Sequence, residues 1–241
     1  MIAQVKEIEL QFKNVETLRI KSRVIRLPIA FEDSETRKAV EKYRENIRSG
    51  APNCEGGYNL DYIAAVNGTT KQEVKDKVLT TEWLNSGCGF WPGGGFFRPV
   101  DPRCALVVPK YNPPRTWTPE GAVGIGGPCI FTYTTPVGGG YQLFSRTIPT
   151  FQFAMKRPQF KGNPCLYRNV NRIKFFEVSE DEILDIYKHV HEEIDYRYQV
   201  EDGEIVVKDY LAWLNREDIK GYRLGALSFA GIWGLFTPRA C

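Results

Sequence analysis

The densest group of polar side chains that could act on a ligand lies in the segment from residue 110 to residue 119. An arginine presents a planar, permanently charged fork that suits a carboxylate or a ureido carbonyl. A lysine beside a tyrosine can share or relay a proton when both are partly buried. The alternative is that the prolines of this segment only shape an edge strand. The catalytic and substrate-binding candidates here are Lys110, Tyr111, Asn112, Arg115 and Thr118.

A second group follows about thirty residues later in the chain. Residues 142 and 146 point to the same face of a regular strand, because side chains alternate with a period of two. We therefore predict that the amide of Gln142 and the guanidinium of Arg146 converge on one ligand, with Arg146 in a catalytic role. The alternative is that Arg146 is only a structural arginine at the surface. Both Arg115 and Arg146 are expected at the surface of strands, where an arginine contributes little to stability.

Two glycine runs lie in this region, GIGG at 124–127 and GGG at 138–140. Glycine lets a ligand or a second backbone approach closely, and its amide can face an anion. Neither run has the spacing of a phosphate-binding loop or a dinucleotide fingerprint. Gly126, Gly127 and the nearby Tyr133 are substrate-binding candidates. Tight turns between strands are the alternative for both runs, and the favoured one for 138–140.

Residues 87–97 read GCGFWPGGGFF. Loops with this much glycine and aromatic surface often form pocket walls or lids. We predict that Phe90 and Trp91 wall the binding site and that this loop governs the choice of substrate.

The two histidines, His189 and His191, lie on a predicted helix at a spacing that does not share one face. A zinc site or a serine–histidine–aspartate triad is therefore not expected, and we predict no metal. A general acid or base would have to be another side chain. The candidates are Asp101, Lys110, Tyr111 and Tyr133, with Cys88 and Cys129 as less favoured alternatives.

Composition narrows the class of protein. The 241 residues carry a formal net charge of +3 spread along the chain, which does not indicate nucleic-acid binding. Six cysteines without paired spacing and an N-terminus without an apolar core favour a cytoplasmic protein with free thiols. No segment has the apolar length of a membrane span. The apolar run 224–236 is expected to be a docked tail or an oligomer contact.

Helical periodicity is most frequent before residue 83, and from there to residue 178 short apolar runs between Gly and Pro predict strands. A strand is expected at 22–31, and Asp33 or Ser34 should cap the helix that follows. Thr70 with Glu73, and Ser179, should cap two more helices. The predicted helices are 34–50, 59–66, 71–80, 180–194 and 207–217, and the predicted strands are 22–31, 104–108, 122–126, 129–134, 141–148 and 172–178.

Residues 110–147 contain the blocks KYNP (110–113), RTWTP (115–119), AVGIGG (122–127), Tyr133, GGYQ (139–142) and RT (146–147). Further blocks are RLPIAF (26–31), YNLDYIAAVNG (58–68) and DPR (101–103). On these blocks the chain resembles, over residues 20–220, the carboxyltransferase domain of urea carboxylase and its relatives among the allophanate hydrolase and 5-oxoprolinase subunits.

The resemblance implies an α+β fold in which a cyclophilin-like β-barrel is preceded by an α+β module. We predict a module at 1–82, the barrel at 83–178, and C-terminal helices and tail at 179–241, packed as one compact unit. It also implies that the active-site cleft is lined by the segment 110–118.

Biotin-carrier and ATP-binding modules are not recognisable in the sequence, so we expect no cofactor and no biotin-dependent carboxylation by this chain alone. The expected function is a stand-alone enzyme that hydrolyses, cyclises or rearranges a small carbonyl compound, with a biosynthetic pathway as the expected setting. The alternative is a non-catalytic or half-site subunit that needs a second carboxyltransferase subdomain. The expected partners are thus a small carbonyl substrate and either that subdomain or further copies of the chain, without nucleic acid or membrane.

Overall fold

The computed structural model describes residues 15–160, 162–193 and 195–222. The chain forms two units, one from Val24 to Glu201 and one that combines the residues up to Arg23 with those from Asp202 onward. All of the candidate site residues lie in the first unit. The predicted tail contact at 224–236 falls outside the described residues.

The larger unit is built around a closed β-barrel. Its strands are β2 (Val24–Phe31), β3 (Trp83–Cys88), β4 (Gly95–Pro99), β5 (Ala122–Gly126), β6 (Cys129–Thr132), β7 (Gln142–Thr147), β8 (Arg172–Glu177) and β9 (Gln199–Glu201). Seven of them follow one another in the order β7-β5-β6-β4-β3-β8-β2, and β2 pairs again with β7 to close the ring. The eighth, β9, pairs with the other end of β2.

Strand β2 shows how the ring is joined. Its first residues pair with β9 and its last three pair with β7, while β8 runs parallel along its other side. Ile25, Leu27 and Ile29 alternate into the main hydrophobic core. This strand lies in the same sheet as the strands after residue 83.

The helices begin where the sequence places caps. The side chain of Asp33 accepts from the amides of Glu35 and Thr36, and Thr70 and Ser179 form capping boxes with Glu73 and Glu182. The helices of the larger unit are α1 (Ser34–Asn46), α2 (Leu60–Val66), α3 (Lys71–Thr80) and α4 (Glu180–Glu192).

The prediction of an α+β fold with a β-barrel is confirmed. The predicted strand at 104–108 is wrong. The amide and carbonyl of Val107 bond to the side chain of Asn67, at 3.0 Å and 3.1 Å, so they are not available to a neighbouring strand. Only Val108 pairs, as an isolated bridge to Gly127.

The smaller unit contains a two-stranded antiparallel sheet and two short helices. Strand β1 (Arg19–Lys21) pairs with β10 (Glu204–Val206), and α5 (Val207–Leu214) and α6 (Glu217–Lys220) follow. Among the described residues, no helix in either unit combines the length and apolar character that crossing a bilayer requires.

Candidate active site

The segment predicted to carry the chemistry is fixed by its backbone to the edge of the barrel. Val108 bridges to Gly127 and Arg115 bridges to Gly139. Between them, the Tyr111 amide donates to the Gly140 carbonyl at 2.6 Å. The backbone of residues 108–115 is therefore joined to the end of the first glycine run at Gly127 and to Gly139 and Gly140 of the second.

Beneath this segment lies a buried polar network centred on Asn59. The Asn59 Oδ1 atom accepts from the Tyr111 hydroxyl at 2.7 Å and from the Leu143 amide at 2.8 Å. Its Nδ2 atom donates to the carbonyl of Asn53 at 2.6 Å. The Asn53 side chain in turn donates to Gln142 at 2.9 Å, and Gln142 donates to the Pro109 carbonyl at 2.8 Å. Because every member has a partner, the network fixes the segment in place.

The side chains of Tyr111 and Gln142 thus make their hydrogen bonds with other groups inside the protein. Burial raises the pKa of the Tyr111 phenol, and that of the neighbouring Cys54 thiol, above their usual values. A buried phenol that already donates to Asn59 is a poor proton donor for a ligand. Both side chains therefore direct their polar atoms to partners within the protein.

Arg115 is buried as well, with only 2% of its surface exposed. Its Nη1 atom donates to the Tyr141 carbonyl at 2.6 Å, and Nε and Nη2 lie 3.4 Å and 3.2 Å from the Thr118 hydroxyl. Its guanidinium also stacks on the Tyr111 ring, 4.4 Å from the centroid. The expectation that this is a surface arginine is wrong.

Lys110 is the one cation of the segment that reaches the surface. Its Nζ atom stands 5.3 Å from the centre of the Tyr141 ring. Among the described residues it has no hydrogen-bond or ion-pair partner. The Tyr141 hydroxyl likewise has no hydrogen-bond partner within the described part of the chain, and burial raises the pKa of this phenol.

The glycines at 124–127 explain why Tyr141 can lie there. A Cβ atom on Gly126 would stand 2.4 Å from the Tyr141 ring, and one on Gly124 would be 3.0 Å from its Cβ atom. Gly127 forms the turn, with φ of +57°. The run is therefore a floor that accommodates the tyrosine ring.

Tyr133 and the second glycine run make a similar contact. Tyr133 is buried, and a Cβ atom on Gly139 would lie 2.4 Å from its hydroxyl. Burial raises the pKa of this phenol too. Asn112 is exposed, and its carbonyl accepts from Arg48 at 3.0 Å.

The predicted convergence of Gln142 and Arg146 does not occur. Gln142 pairs with Ile125 and Arg146 with Ala122, three residues apart on β5, so the two side chains lie on opposite faces. Phe144 is an extra residue in β7 that shifts the register. Such a bulge breaks the alternation on which the prediction rested.

Arg146 lies against α4. Its guanidinium stacks 4.0 Å from the centre of the Tyr187 ring, it is 8% exposed, and its buried Nε atom has no hydrogen-bond partner among the described residues. The expectation of a surface arginine is therefore wrong here as well. The nearby Asp33 carboxyl has a pKa raised by burial, an effect that the positive charge of Arg146 partly offsets.

The aromatic loop lies between β3 and β4, and residues 95–97 of the predicted loop belong to β4. Phe90 is 65% exposed and meets the Phe131 ring edge to face at 5.7 Å. The Trp91 indole donates to the Thr135 hydroxyl. Both side chains are partly free to meet a ligand.

The remaining acid–base candidates are less suited to chemistry. Burial opposes ionisation of Asp101, but hydrogen bonds from Arg103 hold the pKa of this carboxyl below its usual value. Burial raises the pKa of the Cys129 thiol. Within the described ranges, histidine, cysteine, aspartate and glutamate side chains do not gather in a group of three that could hold a metal ion.

Sequence reasoning missed Asn53, Asn59 and Tyr141. Asn59 and Tyr141 lie inside the blocks YNLDY and GGYQ that carry the resemblance, so they could have been selected there. What joins them to Lys110 and Tyr111 is a contact between distant parts of the chain, which residue spacing does not reveal.

The fold and site define a carboxyltransferase-type domain, a closed barrel with helices whose surface lysine stands over a glycine-floored tyrosine. The family model for the carboxyltransferase domain, subdomains C and D, matches residues 1–161. The chain belongs to this family.

Relatives support the assignment. The urea amidolyase of Lachancea kluyveri is 38% identical over 210 residues, which cover 87% of this chain and 11% of that protein. A 5-oxoprolinase subunit of Bacillus subtilis is 33% identical over 144 residues, 58% of this chain and 57% of that one. The crystal structure of the K. lactis urea amidolyase matches with a TM-score of 0.84 and 32% identity, over 94% of this chain and 14% of that chain. The chain thus spans about a tenth of the yeast proteins.

Proposed function

We propose that this chain is a biotin-independent enzyme that acts by itself on a small carbonyl compound, through hydrolysis, cyclisation or rearrangement. The observation that supports it is the pairing of Lys110, which is exposed and has no ion-pair partner among the described residues, with the Tyr141 ring at 5.3 Å. The Tyr141 ring lies over Gly124 and Gly126, and a buried polar network holds the segment that carries Lys110.

In this proposal the Lys110 ammonium donates a hydrogen bond to the substrate carbonyl oxygen. Negative charge develops on that oxygen when a nucleophile adds to the carbonyl carbon, and a positioned cation stabilises it. The Tyr141 hydroxyl, free of other partners in the described structure, can give a proton to the departing group and recover one from the nucleophile that has added, which is water in a hydrolysis. Arg115 and Tyr111 act as positioning residues that hold Lys110 over the ring.

The test is a turnover screen of the purified chain against small amides, ureas, lactams and imides, read by mass spectrometry. Lys110→Met should lower the turnover found by about 10²–10³-fold, as removal of one such donor commonly does. Tyr141→Phe should also lower it, while leaving the ring contact in place. Lys188→Met, a change of an exposed lysine on α4, serves as the matched control and should have no effect. Equal turnover in Lys110→Met and the control would refute the proposed site.

A second function is favoured by the coverage of the relatives. The chain matches one subunit of a 5-oxoprolinase and about a tenth of a urea amidolyase. We therefore propose as the alternative a half-site subunit that completes its active site with a second subdomain. Turnover that appears only after a separately expressed partner subdomain is added would favour this alternative.

A further inference from the structure

The loop from Gly89 to Gly94 holds an aromatic side chain in an unfavourable backbone conformation. Its ends are joined by a hydrogen bond from the Gly89 amide to the Gly94 carbonyl, at 3.3 Å. Phe90 has φ of +64°, in the left-handed region that residues with a Cβ atom rarely adopt. Nevertheless, 65% of its surface is exposed. Burial of Phe90 therefore does not explain its position in the loop.

The loop is held firmly on the barrel. A Cβ atom on Gly94 would lie 2.2 Å from the Phe131 ring, so the backbone rests directly on that ring. The Trp91 indole is tied to the Thr135 hydroxyl, and the Thr134 hydroxyl donates to the Pro92 carbonyl at 2.6 Å. Phe90 and Trp91 are thus presented on a supported surface.

A series of ring contacts joins this surface to the proposed catalytic lysine. Phe90 contacts Phe131 at 5.7 Å, and Phe131 contacts Tyr141 at 6.2 Å. Lys110 stands over Tyr141 at 5.3 Å. One face of the barrel therefore carries exposed aromatic rings at one end and a cation without an ion-pair partner in the described structure at the other.

We propose that the substrate is amphipathic, with an aromatic group that packs on Phe90 and Trp91 and a carbonyl or carboxylate that reaches Lys110. This inference rests on the proposed function, because it takes Lys110 as the group that meets the carbonyl. A molecule as small as urea would leave the aromatic end unused. Aromatic rings prefer edge-to-face or offset contacts with a further ring, and an exposed Phe90 supported by Phe131 offers such contacts.

The experiment compares two probes on the full-length chain by isothermal titration calorimetry. The probes are 3-phenylpropionate and propionate, which share the carboxylate and differ in the ring. We expect 3-phenylpropionate to bind about ten- to a hundredfold more tightly, the ratio that corresponds to burying one aromatic side chain. Phe90→Ala and Trp91→Ala should each reduce this ratio severalfold. Phe90→Gly, which suits the positive φ, should do the same without disturbing the loop.

The control is Phe176→Ala, a change of a partly exposed phenylalanine on β8, which should leave the ratio unchanged. Lys110→Met should weaken the binding of both probes while keeping the ratio of their affinities.

Equal binding of the two probes by the unaltered chain, or a ratio that survives in both Phe90 variants and in Trp91→Ala, would overturn the inference. If the ratio fails but Lys110→Met still abolishes turnover, the proposed function stands and only the aromatic substrate class is lost. If Phe90→Gly changes the ratio while Lys110→Met leaves both affinities intact, the aromatic surface does not serve the lysine, which also overturns the inference.

Discussion

Arg115 and Arg146 are both buried and both stack on a tyrosine ring, yet their N–H groups are used differently. Arg115 donates to the Tyr141 carbonyl and the Thr118 hydroxyl, 2.6 Å and 3.2 Å away. Arg146 instead lies against Tyr187, and its buried Nε atom has no hydrogen-bond partner in the described structure. Their ring distances, 4.4 Å and 4.0 Å, are similar.

The difference separates two uses of a buried guanidinium. Arg115 joins the segment 110–118 to the start of β7 by hydrogen bonds that no uncharged side chain of similar size can reproduce. Arg146 supplies charge near Asp33, and it meets Tyr187 through both a ring contact and a side-chain hydrogen bond, of which a long apolar side chain can replace only the ring contact. Hydrogen bonding, more than burial, should therefore decide which arginine the fold requires.

The largest effect is expected for Arg115→Met. The change leaves the Tyr141 carbonyl without this donor and removes two contacts to the Thr118 hydroxyl. Hydrogen bonds to charged groups contribute about 1.5–3 kcal/mol each, so we expect the free energy of unfolding to fall by about 3 kcal/mol or more. Urea denaturation followed by circular dichroism measures it.

Lys110→Met is the matched control for that change, since it alters a cation in the same segment that is exposed. It should shift the free energy of unfolding by no more than about 0.5 kcal/mol. Similar losses in the two variants would show that the hydrogen bonds of Arg115 are not what the fold depends on.

A smaller loss is expected for Tyr111→Phe. The variant keeps the ring that carries Arg115 but removes the hydroxyl that donates to Asn59 Oδ1 at 2.7 Å. A buried acceptor that loses one of two donors should cost about 1–2 kcal/mol. Tyr62→Phe, at a half-buried tyrosine on α2, should leave the free energy of unfolding unchanged in the same denaturation experiment. If Tyr111→Phe also leaves it unchanged, the Asn59 network does not stabilise the segment.

The local features of the fold could be predicted from the sequence because they depend on neighbouring residues. The capping boxes at Thr70 and Ser179 and the helix at 71–80 follow from residue types three and four positions apart. Strands β5 and β8 are similarly marked by short apolar runs between turns.

The incorrect predictions have a common cause: contacts with residues distant in the sequence change the local structure that neighbouring residues alone would favour. The strand predicted at 104–108 is absent because the Asn67 side chain takes the backbone groups of Val107. The alternation in β7 fails at the extra residue Phe144. Lys110 was selected as a site residue, but its partner Tyr141 is known only once the barrel brings both onto one face.

The smallest effect is expected for Arg146→Met, and its size depends on pH through Asp33. Burial raises the folded-state pKa of this carboxyl above its usual 3.8, whereas the charge of Arg146 lowers it. A raised folded pKa contributes stability that is present below about pH 3.8 and is lost as the pH rises through the folded value. Without Arg146 the folded pKa rises further, so the variant should lose about 1 kcal/mol or less at pH 8 and still less at pH 4.

The matched background for that measurement is Asp33→Asn, which keeps a side-chain oxygen for capping α1 but cannot ionise. In this background, Arg146→Met should change the free energy of unfolding equally at pH 4 and pH 8, as read by urea denaturation at both values. A pH dependence that persists without the carboxylate would assign the coupling of Arg146 to another acid. Glu120 is such an alternative, because burial raises the pKa of its carboxyl and the charge of Arg146 lowers it. A loss as large as that of Arg115→Met would refute the distinction between the two arginines, since it would show that burial and ring stacking alone make a guanidinium indispensable.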